Sequence, residues 1–331
     1  MDIIVADNAG FCFGVERALE MVTGEQEGAR PATSEQARPA SPRRGRRARP
    51  TRSIGSSRAS SKRAAPGHAH APIYTLGPLI HNPQVVERLR EKGIGQVSAV
   101  GEVPAEGTLV IPSHGISPDV LAQARARGLR LLDATCPFVA RAQDNVRTLV
   151  EQGYQVIILG DRGHPEVAGL VGAAGGQAIV VEDEAELATV QLRPRVGLVV
   201  QTTQAPARMR AVAGVLAERS RELRAYNTIC AATSQRQESA VRLAQQVDVM
   251  IVVGGRNSAN TNRLRQVCAQ AGVETHHVET AAELDPKWFT AKRSVGVTAG
   301  ASTPDWIINE VVEALRRTEP ECHSERSEEC R

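Results

Sequence analysis

Short runs, most of them rich in apolar residues, alternate with helical stretches along most of this chain. The runs are Ile3–Ala6, Ile73–Leu76, Thr108–Ile111, Leu129–Leu132, Gln155–Leu159, Ala178–Val181, Val196–Val200, Asp248–Val253, Thr275–Val278 and Ser294–Thr298. A strand apolar on both faces must be covered on both faces, and parallel strands joined by crossover helices meet that demand. Helices are expected from about Val15, up to Arg90, from Pro118, from Pro137, near Asp183, up to Arg219, over Glu238–Gln246, up to Ala271, after Val278 and up to Arg316. The strands are too many for one small sheet, so several α/β units are expected. The pattern leaves the strand order open.

Polar residues gather just after these strands: His81, His114, His164, Glu166, Thr202, Thr203, Ser258, Asn260 and Ser302. Open α/β sheets bind ligands beyond the carboxyl ends of their strands. Taken singly, a Ser or Thr there is a helix cap and a His a surface or capping residue. Taken together, imidazoles, hydroxyls, an amide and helix N-termini make an anion site suited to phosphate or diphosphate. Asn257-Ser258-Ala259-Asn260 is neither a Walker loop nor a G-x-G-x-x-G, so nucleotide binding has little support. Glu166, two residues after His164, is a proton donor or relay if burial raises its pKa. The alternative is a carboxylate favoured by the helix macrodipole. Thr202 is available to orient that carboxyl group or a water.

Three cysteines share one local design. Cys12 ends an Asn- and Gly-containing turn after a strand, Cys136 is followed by Pro137 at a helix start, and Cys230 precedes a helix. A thiol beside free backbone N–H groups is expected to favour thiolate. Three thiolates around an open fourth position make a reactive metal or cluster site, whereas a structural site is closed by four ligands. The chain has six cysteines but no C-x-x-C joins these three, and spacing alone leaves open three unrelated core residues. Cys268 reads as core, and Cys322 and Cys330 lie in a polar tail.

The chain of 331 residues carries a net charge of +3. Residues 24–70 hold ten Arg and one Lys against three Glu, a net of +8, so the remainder sums to −5. With Ile54 its only large aliphatic residue, this segment cannot bury enough apolar surface to order itself. It reads as a disordered insertion, either a plain tether or a polyanion-binding tail without aromatic interleaving. No bilayer-length apolar run or signal-peptide pattern is seen, which argues for a cytoplasmic protein without a membrane partner.

The motifs Gly10-Phe-Cys12-Phe-Gly-Val, Gly77-Pro-Leu-Ile-His81-Asn, Ser113-His114-Gly, Asp133-Ala-Thr-Cys136-Pro, Gly163-His164-Pro-Glu166, Gln201-Thr-Thr203, Asn227-Thr-Ile-Cys230, Arg236-Gln, Asn257-Ser258-Ala-Asn260 and Gly296-Val-Thr-Ala-Gly-Ala-Ser302 occur in this order. Over residues 1–23 and about 71–317 the chain closely resembles the 4-hydroxy-3-methylbut-2-enyl diphosphate reductases. The resemblance implies three similar α/β domains in a trefoil around a central iron–sulfur cluster. Residues 1–12 would join the third domain, with domains at 13–136, 137–228 and 229–317 and a tail at 318–331. It implies that Cys12, Cys136 and Cys230 ligate a [4Fe–4S] cluster. His81, His114, His164, Thr202, Ser258, Asn260 and Ser302 would bind the substrate, and Glu166 with Thr202 would deliver a proton. The products would be isopentenyl and dimethylallyl diphosphate, the last step of the methylerythritol phosphate route to isoprenoids. A ferredoxin or flavodoxin would supply electrons to what is expected to be a monomer. Ala259 stands where the family commonly has a serine, which removes one diphosphate-binding hydroxyl. The rival readings are a zinc-dependent, non-redox diphosphate hydrolase on the same centre and an iron–sulfur sensing protein whose basic insertion contacts nucleic acid.

Overall fold

The computed structural model describes residues 1–26 and 71–317. Among them, twelve strands form three four-stranded sheets in which every pairing is parallel. The first sheet runs β3 (Gly95–Val97), β2 (Ile73–Leu76), β4 (Thr108–Ile111), β5 (Arg130–Asp133). The second runs β7 (Ile179–Val181), β6 (Gln155–Leu159), β8 (Arg195–Val200), β9 (Glu222–Tyr226). The third runs β11 (Glu274–Val278), β10 (Val249–Val253), β12 (Ser294–Ala299), β1 (Asp2–Val5). The order is the same in each sheet, except that the N-terminal strand takes the fourth place in the third. Its register sets Asp2 opposite Ser294 and Val5 opposite Val297.

Composition explains this order. The inner strands β6, β8, β10 and β12 are buried almost throughout. The fourth-place strands β1, β5 and β9 carry Asp2, Arg130, Asp133, Glu222 and Arg224 and stay partly exposed, which suits an edge and discourages further pairing.

Nine helices cover the sheets among the described residues: α1 (Phe13–Gln26), α2 (Pro83–Glu91), α3 (Pro118–Ala126), α4 (Pro137–Glu151), α5 (Pro165–Ala173), α6 (Pro206–Arg219), α7 (Ala231–Ala244), α8 (Ala259–Gln270) and α9 (Asp305–Arg317). Five of them open on proline, whose fixed φ and missing N–H suit a first helical position. On α4, Val139, Ala142, Val146 and Leu149 form one helical stripe and pack with Ile158 and Val199. Each buried Val, Leu or Ile side chain there contributes roughly 1.5–3 kcal/mol. Cys268 is fully buried with Leu264 and Met250, as a core residue.

Four local expectations are corrected. Neither β3 nor β9 is among the expected runs, because Gly95-Gln-Val is too short and too polar to stand out and Glu222-Leu-Arg-Ala-Tyr carries two charges. The segments after Asp183 and Val278 form only short 3₁₀ turns, Ala185–Thr189, Ala281–Glu283 and Pro286–Phe289. Helix α7 starts at Ala231, about two turns ahead of Glu238. Its first turns bury Thr233, Arg236 and Gln237, so the apolar period that marks a helix is missing there. Helix α1 runs on through Gly24 to Gln26, and Glu25 pairs with Arg130 at 2.5 Å. The rest of the basic insertion and the tail lie outside the described residues. No helix among the described residues is long and apolar enough to cross a membrane.

Candidate active site

The three sheets place their cysteines by the same device. Each follows a fourth-place strand (β1, β5 or β9) and immediately precedes a helix (α1, α4 or α7). Each cysteine N–H donates to a carbonyl two residues beyond the third strand of its own sheet. Cys12 bonds Ala301 at 3.2 Å, Cys136 bonds Ser113 at 2.9 Å and Cys230 bonds Thr202 at 2.9 Å. All three side chains line one cavity of about 120 Å³.

Gly14 shows how closely the backbone approaches there. A Cβ at this position would lie 2.6 Å from Cys136 Sγ and 3.9 Å from Cys12 Sγ. Burial, with the neighbouring Cys12 and Cys230, pushes the Cys136 thiol up to about 11. The N–H groups of Phe138 and Val139, at the start of α4, offset only part of this. Burial also raises the Cys230 thiol, against the N–H groups of Ala232 and Thr233. The expectation that helix N–H groups alone would favour thiolate is thus reversed for these two: desolvation outweighs them. Such thiols ionise when a bound cation displaces their protons. Among the described residues, no three His, Cys, Asp or Glu side chains are gathered tightly enough to hold a single metal ion. The three sulfurs nonetheless line the one cavity, so a group bound there would meet all three.

Glu166 projects into the same cavity from the first turn of α5. It is only 3% exposed, and its oxygens accept from Thr202, Oε1 from the N–H at 2.7 Å and Oε2 from Oγ1 at 2.9 Å. Burial raises its pKa to about 7, beyond what the two Thr202 hydrogen bonds take back, and Asp161 adds to the rise. The group can therefore hold or give a proton near neutrality.

Three imidazoles make another part of the wall. The His81 ring lies 5.0 Å from that of His114, stacked, and 5.0 Å from that of His164, tilted. His164 caps α5, its Nδ1 accepting the Glu166 N–H at 3.1 Å, which leaves the proton on Nε2. Burial lowers the pKa of all three; His114 falls to about 3 and His164 to about 4, helped by the neighbouring imidazoles. Ser258 caps α8 and accepts the Thr261 N–H at 3.3 Å, while the Ser302 hydroxyl donates to the His81 carbonyl at 3.1 Å. His81 Nε2, His114 Nδ1, Thr203 Oγ1 and both amide atoms of Asn260 are buried without a partner. A buried polar atom left so costs about 1–3 kcal/mol, and several around one cavity indicate a polar ligand. Helices α1, α4, α5, α7 and α8 begin at this cavity, and their N-termini favour an anionic ligand.

The cavity is thus lined by every residue expected of the site: Cys12, Cys136, Cys230, His81, His114, His164, Glu166, Thr202, Ser258, Asn260 and Ser302. Sequence reasoning assigned no role to Gly14, although it sits in the Cys12 motif and its missing side chain makes room for Cys136. It named Arg236 within a motif but gave it no role; this buried guanidinium on α7 donates from Nη2 to the carbonyls of Gly10 at 2.7 Å and Phe11 at 3.0 Å. A charged residue on the expected helix side of Cys230 was the available signal.

Comparison with known proteins agrees with this geometry. The model of the LytB protein family matches residues 54–316. The 4-hydroxy-3-methylbut-2-enyl diphosphate reductase of Geobacter metallireducens is 42% identical over 318 residues, which cover 96% of this chain and 97% of the relative. The reductase of the same name from Pelobacter propionicus is 43% identical over 312 residues, covering 94% and 96%. A solved structure of (E)-4-hydroxy-3-methyl-but-2-enyl diphosphate reductase, described as the terminal enzyme of the non-mevalonate pathway, is 38% identical with a TM-score of 0.61. That alignment covers 96% of this chain and 100% of the other. The solved reductase of Plasmodium falciparum, 23% identical, shares the fold at a TM-score of 0.80 over 97% of this chain and 89% of its own. The strand-end cavity, the ordered motifs and these similarities over nearly the whole length lead to one assignment: the chain belongs to the LytB family of 4-hydroxy-3-methylbut-2-enyl diphosphate reductases.

Proposed function

We propose that this protein converts (E)-4-hydroxy-3-methylbut-2-enyl diphosphate to isopentenyl and dimethylallyl diphosphate by two-electron reductive dehydroxylation. Two electrons and two protons are consumed: the allylic C–O bond breaks, one proton leaves with the hydroxyl as water, and the other forms the new C–H bond. The observation that carries this reading is the sharing of one cavity by a buried acid, three cysteines and a polar cradle.

Cys12, Cys136 and Cys230 would hold a [4Fe–4S] cluster, which when bound supplies Lewis acidity toward the alcohol and a path for single electrons. His81, His114, His164, Ser258, Asn260 and Ser302 hold the diphosphate. Their unpartnered nitrogens and amide atoms, together with the helix N-termini, support that role. Glu166 carries the proton that converts the departing hydroxyl to water, and a pKa of about 7 keeps it available for transfer. Thr202 fixes both carboxyl oxygens and so holds the proton facing the cavity. A ferredoxin or flavodoxin delivers the electrons one at a time, and the enzyme works as a cytoplasmic monomer.

The test is anaerobic purification and reconstitution, with iron, acid-labile sulfide and turnover measured together. Brown protein with both elements, turning over the hydroxylated diphosphate with a low-potential donor, is expected. Cys136→Ser should lose the cluster. Colourless protein that gains no iron, or zinc without sulfide, overturns the reading.

A further inference from the structure

Arg236 lies on α7 between one and two turns beyond Cys230, and it is buried at 5% exposure. All of its hydrogen-bond partners are carbonyl oxygens: Nη2 donates to Gly10 and Phe11, and Nη1 to Ala232 at 3.1 Å. Its Nε is buried with no partner. A guanidinium cannot shed its proton in a protein, so its charge stays inside. A buried charge without an opposite charge is strongly unfavourable, and carbonyl dipoles replace only part of the lost hydration. Among the described residues no carboxylate forms an ion pair with it. The groups that most favour its charge are Cys12 and Cys230, ahead of Glu16. Once ionised, those two sulfurs are the anions that act on it most, with Glu16 behind them.

A second arginine sharpens the contrast. Arg17, on the helix after Cys12, donates to the Thr135 carbonyl at 3.1 Å, just before Cys136. Each arginine therefore clamps the loop leading into the next cysteine. Only Arg236 also stands against sulfurs as a countercharge; no arginine acts on Cys136 in this way.

We infer that Arg236 is a positioning residue that neutralises the Cys12 and Cys230 thiolates and thereby raises the reduction potential of the centre they hold. The inference rests on the cluster reading above. Reduction adds an electron to an already anionic centre, and a fixed positive charge in a desolvated pocket favours the more negative state. Removing that charge makes the centre harder to reduce.

The experiment is an EPR-monitored redox titration of the reconstituted holoprotein, with iron and sulfide assayed in each sample. Wild type is compared with Arg236→Gln, Arg236→Lys and Arg17→Gln. The expected result is full loading throughout, a midpoint moved to more negative potential in Arg236→Gln, and a midpoint close to wild type in Arg236→Lys and Arg17→Gln. An unchanged midpoint in loaded Arg236→Gln overturns the inference while leaving the cluster reading intact. A shift in Arg236→Lys or Arg17→Gln as large as in Arg236→Gln also overturns it, because clamp geometry would then be the cause. If Arg236→Gln fails to load, Arg236→Lys decides: full loading at the wild-type midpoint supports the role of charge, and loss or a shift refutes it. Wild type that takes up neither iron nor sulfide overturns the cluster reading, and this inference falls with it.

Discussion

Thr202 grips both oxygens of Glu166, its N–H donating to Oε1 at 2.7 Å and its hydroxyl to Oε2 at 2.9 Å. A residue two positions beyond strand β8 thus fixes an acid in the first turn of helix α5, and the two meet because β8 ends and α5 begins at the same edge of the second sheet. The pair combines a desolvated carboxyl group with a rigid mount, which is what a proton donor in a closed site requires.

Glu166→Gln should lower turnover by about 10²–10⁴-fold with iron content unchanged, since it removes the transferable proton and keeps the shape. It should also change stability in a pH-dependent way. The folded carboxyl titrates near 7 and the unfolded one near 4.5, so wild-type stability falls as pH rises through that window and then levels off. The glutamine does not titrate. Its advantage over wild type should therefore grow between those pH values, by at most about 3.5 kcal/mol at about 1.4 kcal/mol per pH unit. Denaturant unfolding near pH 5 and near pH 8 measures it. An equal difference at both pH values would show that the carboxyl is not raised.

Thr202→Val keeps the backbone donor and removes the hydroxyl. Because both Thr202 bonds lower the Glu166 pKa, losing one should raise it further. The alkaline limb of the kcat profile should move to higher pH. Movement to lower pH would contradict the hydrogen-bond assignment.

The three imidazoles are held neutral at pH 7, with His114 near 3 and His164 near 4. A diphosphate placed among them supplies the negative charge that favours imidazolium. Binding should therefore take up protons, and affinity should rise as pH falls toward about 6. Calorimetry with inorganic diphosphate in buffers of different ionisation enthalpy measures the uptake. His114→Gln should reduce it; no uptake in wild type would remove the histidines from the anion site.

Gly14→Ala adds a carbon that would sit 2.6 Å from Cys136 Sγ. The backbone there belongs to α1 and alanine is a strong helix former, so the fold should survive. Iron and sulfide content should drop sharply while far-UV circular dichroism stays unchanged. Full cluster loading would show that the Cys136 side of the cavity has slack.

Ala259→Ser supplies a hydroxyl at the first position of α8, between Ser258 and Asn260 on the cavity wall. One added hydrogen bond to a charged ligand contributes about 1.5 kcal/mol, so KM should fall by up to about tenfold with kcat little changed. An unchanged KM would place the new hydroxyl away from the diphosphate.

Much of the local structure can be read from the chain alone. Ile73–Leu76, Thr108–Ile111 and Gln155–Leu159 are strands with the bounds that their apolar runs suggest. Helix α7 is the instructive exception. Its first turns face a polar centre, so Thr233, Arg236 and Gln237 occupy positions that a core-facing helix would fill with aliphatic side chains. A periodicity argument fails at a functional site because the site replaces the apolar surface that periodicity detects.

Taken by itself, the sequence determined most of the strands and the longer helices, and that Cys12, Cys136, Cys230 and the polar set follow strand ends. Those are local matters, decided by backbone sterics and by which side chains can be covered. Tertiary structure alone decided that β1 completes the third sheet, that the three sulfurs share one cavity, and that Glu166 holds its proton near neutrality. Desolvation and Coulomb interactions act through space, between residues up to hundreds of positions apart, and only the packed chain sets those distances.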